Sequence, residues 1–514
     1  MTCWMNLGQN LKVNAKKFPA TVALKDRSRS FTYPQTNERV NRLASSLLGL
    51  GLSKGDRIAV LMENSIEIIE LYLATAKTGL VIVPINFRLV GPEISYITNN
   101  SDAKAFIVHD EFAAEVDRVK TELVNIGPDN YFIVGALRDG YRPYETLIDK
   151  GSAAEPEIAV APEDTWILIY TSGTTGKPKG VIRSHASHIA FYLINAVDFG
   201  FNEHDFCMNV MPLCHINSTF FTFIFLYIGA SVYVHPAQSF RPEEILEIVE
   251  REKITFISLI PTHYNLILNA PADALKRDVS SIRKLLCSSA PVRKSMKECI
   301  MGYFKGVELY EGYGSTEAGI VTVLKPEYQM KKLGSIGFET LGTEFVKILD
   351  VDGKEVADGE VGELYSQGPM LFDEYYKLPD KTAESFVNGW FSAGDMARKD
   401  ADGFFEIVDR KDNMIITGGE NVYPSEVEEV VGSHPEVFDT AVIGLPDDKW
   451  GERVAAVVIK KAGADLDEDS LRTYCKDKMA GYKRPKDVIF IEADAMPRTA
   501  TGKILHRILR EKFA

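Results

Sequence analysis

The stretch Tyr170-Thr171-Ser172-Gly173-Thr174-Thr175-Gly176-Lys177-Pro178-Lys179-Gly180 is composed of the residue types that hold phosphate. Its three glycines let the backbone bend until several N–H groups face one anion, and its four Ser and Thr hydroxyls add donors. Lys177 and Lys179 each supply a compact positive charge. A Walker loop needs Gly-Lys followed by Ser or Thr and an opening helix. Here Pro178 follows Lys177 and an apolar run follows Gly180, so this is a different device. A bare Gly-rich turn reads as a hairpin loop, but eleven such residues between the apolar runs 166–169 and 181–182 read as an anion site.

Four further stretches carry candidate chemistry. In Tyr310-Glu311-Gly312-Tyr313-Gly314-Ser315-Thr316-Glu317-Ala318-Gly319 the glycines admit a flat ligand. Tyr313 offers it a stacking face, and Glu317 is a hard oxygen ligand suited to Mg²⁺. Alone, the same string is equally a tight turn with an exposed glutamate. In Trp390-Phe391-Ser392-Ala393-Gly394-Asp395 a carboxylate after glycine can accept both hydroxyls of a ribose, though an isolated Gly-Asp means only a turn. Lys503, in Pro497-Arg498-Thr499-Ala500-Thr501-Gly502-Lys503, would by itself be an ordinary solvated lysine. His215 closes Met211-Pro212-Leu213-Cys214-His215; a lone histidine beside an apolar helix is commonly a core residue. Cys207, Cys214 and His215 are too few and wrongly spaced for structural zinc.

Taken together and in this order, the motifs resemble the signatures of the acyl-adenylate-forming (AMP-binding) superfamily, which includes acyl-CoA synthetases, luciferases and peptide-synthetase adenylation domains. The resemblance points to the acyl-CoA synthetase, or fatty-acid–CoA ligase, branch. It implies that Thr171, Ser172, Gly173, Thr174, Thr175, Gly176, Lys177, Lys179 and Thr316 bind the phosphates of ATP, with Glu317 and Thr171 at the magnesium. Glu311, Gly312, Tyr313 and Gly314 would face adenine opposite Ser289, Ala290 and Pro291, where the family more often has glycine in place of the serines. Asp395 and Arg410 would hold the ribose. His215 would gate an acyl pocket with Asn217, Ser218, Thr219, Gly314 and Ile320. Lys503 would bridge the carboxylate substrate and the α-phosphate, offsetting their repulsion.

The implied reaction has two halves: a carboxylate attacks the α-phosphorus of MgATP to give acyl-adenylate and pyrophosphate, then coenzyme A takes the acyl group and AMP leaves. Lys503 must withdraw before the thiol enters. The resemblance implies rotation of a small domain about Lys411 and Asp412, bringing Gly418 and Gly419 to the pantetheine channel and Glu420 to His215. A medium- or long-chain fatty acid is the first expectation, with a cyclic, aromatic or oxygenated acid close behind, since Asn217 and Thr219 offer polar groups. Two alternatives stand beside this. One is a stand-alone adenylation enzyme loading a carrier protein, disfavoured because no carrier domain follows in the sequence. The other is a nucleotide-binding pseudoenzyme, disfavoured by the presence of Lys503, Asp395, Glu317 and the phosphate loop.

These groups need elements to position them. The string Phe31-Thr32-Tyr33-Pro34 reads as a strand end followed by a helix with Pro34 early in it. A strand–helix–strand unit runs over 57–62, 66–77 and 80–83, with Asn64 and Glu67 as a capping box, Gly79 as the stop and Pro84 ending the second strand. The plan recurs at 208–211, 217–227 and 231–234, closed by Pro236. A third unit places Ile245, Leu246, Ile248 and Val249 on one helix face before a strand at 254–259. After Asp402 the texture changes to a strand at 403–408, a charged run at 409–412 and a small α+β unit. That unit has strands at 439–444, 453–459 and 487–491 and helices at 425–431, 470–479 and from 504 onward. The fold expected is α/β, with a large N-terminal domain of two αβ-layered sheets (1–409), a hinge (410–412) and a small α+β C-terminal domain (413–514). The resemblance adds a small barrel-like subdomain to the first and makes the last mobile.

A chain of 514 residues exceeds a single core, in keeping with more than one domain. A formal charge of −14 argues against a nucleic-acid partner and requires positive charge to be concentrated wherever ATP and an acid bind. The six cysteines form no C-x-x-C, which reads as free thiols in a reducing, cytoplasmic setting. No signal-peptide pattern opens the sequence. The uncharged run 220–234 is shorter than the ~20 residues of a spanning helix and reads as a buried helix entering a buried strand. Peripheral membrane contact and homodimer formation stay open.

Overall fold

Parallel strands buried on both faces need continuous apolar runs, and these runs organise the first half of the chain. The computed structural model describes residues 6–171, 178–236, 240–288, 292, 294–476, 478–498 and 504–514. The chain divides into two compact units. One comprises Met1–Leu333, Glu339–Phe345 and Ser366–Phe391; the other comprises Gly334–Phe338, Val346–Tyr365 and Ser392–Ala514.

In the first unit, strands Arg57–Leu61 and Val81–Ile85 are parallel neighbours joined by the helix Ile66–Thr78. The same unit recurs as Phe206–Asn209, Ile216–Ile228 and Ser231–Val234. Each helix stops at a left-handed glycine, Gly79 at φ +70° and Gly229 at φ +91°. The two copies lie in different sheets. One sheet runs Glu374–Tyr375, Lys179–Ser184, Thr165–Thr171, Val81–Ile85, Arg57–Leu61, Ala103–His109, Tyr131–Val134, Arg142–Pro143. The other runs Gly319–Leu324, Glu308–Ser315, Lys284–Ser288, Phe256–Leu259, Phe206–Asn209, Ser231–Val234, Val22–Lys25, Ser30–Thr32. An antiparallel hairpin stands towards one edge of each sheet, and these two hairpins carry the two main motifs.

Two local expectations are corrected. Pro84 does not end its strand: Val81–Ile85 runs through it, with Pro84 opposite Val60. Asn64 is not the helix cap. Ser65 takes that place, its hydroxyl accepting from the Ile68 amide, while the Asn64 side chain is buried elsewhere. The uncharged run folds as expected, into the helix Ile216–Ile228 and the strand Ser231–Val234. No helix among the described residues is long and apolar enough to cross a membrane.

In the second unit, strands Asp395–Lys399 and Phe405–Arg410 pair antiparallel. The long hairpin Val437–Asp447 with Gly451–Lys460 is extended by the parallel strand Asp487–Phe490. Its side chains alternate strictly: Val442, Val454, Ala456 and Val458 pack with Val427 and Leu471 of helices Pro424–Gly432 and Glu468–Lys476. Ala441, Ile443, Ala455 and Val457 pack with Leu509 of His506–Phe513. The described cysteines, Cys207, Cys214, Cys287, Cys299 and Cys475, are free thiols.

Candidate active site

The phosphate stretch is a hairpin. Strands Thr165–Thr171 and Lys179–Ser184 pair antiparallel with Tyr170 opposite Gly180 and Thr171 opposite Lys179. A strand, not a helix, leaves the loop, as the Pro178 argument requires. Ser172, Gly173, Thr174, Thr175, Gly176 and Lys177 lie outside the described residues. A Cβ on Gly180 would stand 2.8 Å from Leu168 Cδ1, so a side chain there would require Leu168 to shift. At the hairpin mouth, Lys179 Nζ sits 4.2 Å above the centroid of the Tyr375 ring. Tyr375 pairs with Val181 along the edge, and its hydroxyl donates to Glu317 Oε1 at 2.8 Å. Tyr375 thus links Lys179 to Glu317, and it had no signal in the sequence.

The second motif is also a hairpin: Glu308–Ser315, a turn at 316–318, then Gly319–Leu324. Gly319 is at φ +75°, and a Cβ on Gly314 would lie 1.9 Å from the Gly319 carbonyl oxygen, so glycine is required there. Thr316, Glu317 and Tyr313 are half-buried, Gly314 is exposed, and Ile320 is buried within contact of the Gly312 position. The Glu311 side chain is committed elsewhere: it forms an ion pair with the fully buried Lys297. Burial holds its pKa above the usual carboxylate range against the pull of Lys297. Any contact of Glu311 with a base therefore falls to its backbone. Ser289, Ala290 and Pro291 lie outside the described residues.

On the acyl side, the hydroxyl of Ser218 donates to Met211 O and accepts from Asn209 Nδ2 at 2.6 Å. Thr219 Oγ1 lies 3.2 Å from the carbonyl oxygens of both Leu213 and His215. Asn217 donates to Ser288 Oγ at 2.8 Å and accepts from Ser258 Oγ at 3.2 Å. These three polar groups are hydrogen-bonded within the fold. Asn64 holds the same loop: its Oδ1 accepts from Leu213 N at 2.8 Å, and its Nδ2 donates to Met211 O at 3.0 Å and His235 O at 3.1 Å.

His215 is half-buried, but its Nε2 is shielded from solvent and has no partner among the described residues. Burial, with a smaller push from Arg88, lowers its pKa to about 4, so the imidazole is neutral at pH 7. Burial likewise brings His185 and His263 to about 4. Because the unfolded chain binds these protons near pH 6.5 and the folded chain does not, stability is full above that pH and falls as pH drops towards 4. Urea midpoints should decline between pH 7 and 5, and His215→Gln should flatten the decline by one proton's share. An unchanged slope would place the His215 pKa near its ordinary value.

In the second unit, Asp395 and Arg410 are register partners joined by an ion pair at 2.7 Å, and Arg410 Nη1 also donates to Ala393 O at 2.7 Å. Gly394 precedes them at φ +79°. Lys411 Nζ pairs with Glu363 at 2.7 Å, in the 3₁₀ turn Lys411–Asn413 that includes Asp412. Gly418 and Gly419, at φ +62° and +86°, form a two-residue loop between strands Ile415–Thr417 and Glu420–Val422. Such a loop needs φ > 0 at both positions, so turn geometry alone explains the pair. Glu420 is exposed; it belongs to the second unit and His215 to the first. Lys503 lies outside the described residues.

Two mixed sheets, a glycine-rich hairpin backed by a lysine and a glutamate-bearing second hairpin define a nucleotide-activating enzyme. The AMP-binding enzyme family matches residues 11–376, and the AMP-binding enzyme C-terminal domain matches residues 426–503. The chain belongs to this family, in its AMP-forming acid–thiol ligase branch. It is 35% identical over 512 residues to the long-chain-fatty-acid–CoA ligase FadD13 of Mycobacterium tuberculosis, covering 99% of each chain. It is also 35% identical over 504 residues to a feruloyl-CoA synthase of an Amycolatopsis species, covering 97% of each. Among solved structures it is similar to the anthranilate CoA ligase AuaEII in complex with anthranoyl-AMP. That match has a TM-score of 0.90 and 28% identity, and covers 100% of this chain and 98% of that one.

Proposed function

We propose that the protein activates an apolar carboxylic acid with MgATP and passes the acyl group to coenzyme A, a medium- or long-chain fatty acid being the first candidate. The observation that carries this reading is the set Lys179, Tyr375 and Glu317, which places a cation and a fixed carboxylate at the mouth of the phosphate hairpin. The donor set fits magnesium: Glu317 is a hard oxygen ligand oriented by Tyr375, and Thr171, opposite Lys179 in the hairpin, adds a hydroxyl-bearing residue at the same mouth. When bound, the ion offsets phosphate charge. The chain's own residues do the rest. Lys179 attracts the triphosphate, Tyr313 and Gly314 receive adenine, Asp395 and Arg410 take the ribose, and Lys503 draws the carboxylate to the α-phosphorus. Neutral His215 brings no charge to the acyl side. The internal engagement of Asn217, Ser218 and Thr219 supports an apolar acyl group. The free thiols suit a cytoplasmic enzyme.

Incubation with MgATP, a panel of fatty, aromatic and hydroxylated acids, and either coenzyme A or a pantetheinylated carrier protein tests this by mass spectrometry. A fatty acyl-CoA is the expected product, whereas acylated carrier without acyl-CoA would reverse the acceptor and an aromatic acyl-CoA would reverse the acid class. The hinge reading makes a separate prediction. Asp412→Pro fixes φ in the turn Lys411–Asn413 and should spare one half-reaction while impairing the other. Equal loss of both half-reactions would reject it.

A further inference from the structure

We infer that Arg183 is a positioning residue that braces the Glu317 turn against the strand leaving the phosphate hairpin, setting the carboxylate for metal-bound nucleotide. This rests on the ligase reading above. Arg183 lies in Lys179–Ser184, four positions beyond Lys179, and is 0% exposed. Its Nη1 donates to Thr316 O at 2.7 Å and Glu317 O at 3.2 Å, and its Nη2 to Met370 O at 2.6 Å. Its guanidinium carbon stands 4.9 Å from the centroid of the Phe220 ring, which stacks on Phe191 at 3.7 Å.

An inward position on a strand packed by aromatic rings would ordinarily hold a valine or leucine. A guanidinium there must be desolvated, a cost offset to the extent that its donors are met. Nη1 and Nη2 are met by carbonyls of two separate segments, 316–317 and 370, while the buried Nε has no hydrogen-bond partner among the described residues. The carboxylates of Asp373 and Glu317 act on Arg183 through space. Burial lowers its pKa only to about 10, so the charge persists at neutral pH. The same turn has two other tethers, Phe372 N donating to Glu317 O at 2.6 Å and Tyr375 Oη to Glu317 Oε1 at 2.8 Å. Arg183 links the turn to the hairpin strand by a planar fork, which fixes orientation as well as distance. An ammonium at this position lacks that planar fork.

The test is Arg183→Lys, with Arg183→Met beside it, assayed by thermal unfolding and by calorimetric binding of ATP with magnesium and with EDTA. The expected result for a folded Arg183→Lys is that metal-free ATP binds as in the unmodified protein. The gain from adding magnesium should fall by about tenfold or more, as for other groups that orient metal ligands. A folded variant that keeps the full magnesium gain overturns the brace and leaves Arg183 a packing residue. Hydrogen exchange on the unmodified protein decides the matter even where both variants unfold. MgATP should protect 179–184 and 316–318 together, and protection of one without the other overturns the proposal. Failure of the unmodified protein to bind ATP under either condition would instead sink the ligase reading.

Discussion

Lys503→Ala is expected to lower acyl-adenylate formation by about 10²–10³-fold, the usual loss when one charge-stabilising donor is removed from a reacting centre. Two anions, the acid carboxylate and the α-phosphate, must approach to bonding distance in a chain whose formal charge is −14. One ammonium between them acts more strongly as charge moves to the leaving pyrophosphate, and it also aligns the attacking oxygen. The second half-reaction has no such need. The variant, given synthetic acyl-adenylate and coenzyme A, should form thioester at nearly the unmodified rate. Equal loss in both half-reactions would mean that Lys503 supports the fold and not the first step.

Gly314→Ala is expected to be as damaging, through shape. The added Cβ would lie 1.9 Å from the Gly319 carbonyl oxygen, a backbone atom with no rotamer to yield. The hairpin must open, at about 1–3 kcal/mol or more for overpacking. Because Thr316 and Glu317 sit in the turn between those two glycines, a shift of about 1 Å there should cost about 10²-fold in adenylation. Gly302→Ala, which meets nothing within 4 Å, is the control and should leave both stability and rate intact or slightly improved. A Gly314→Ala protein with unchanged adenylation would show that the turn tolerates displacement.

The sequence was most legible where chemistry and backbone demand coincide. The Gly-rich hairpin and the Gly-bracketed Glu317 turn carry their geometry in residue type, and the repeated strand–helix–strand plan announced itself through Gly79 and Gly229, whereas Asp395 and Arg410 were joined only by the family resemblance. The residues that escaped are those whose role comes from distant partners. Nothing near Asn64 says that it will hold the 211–213 loop and His235, and capping statistics pointed to the wrong role for it. Lys297, Arg183 and Tyr375 belong to no motif and gain a role only when the fold places them against Glu311, Thr316 and Glu317. Asn217 and Thr219, whose polarity suggested a ligand, also take hydrogen bonds from within the fold that the sequence does not show.

This chain is expected to make an acyl-adenylate before any thiol is involved. Acid-dependent exchange of labelled pyrophosphate into ATP, without coenzyme A, measures that step directly. Exchange should require both magnesium and an apolar carboxylic acid and be lost in Lys503→Ala. Exchange that proceeds without acid, or none with any acid in the panel, would contradict it.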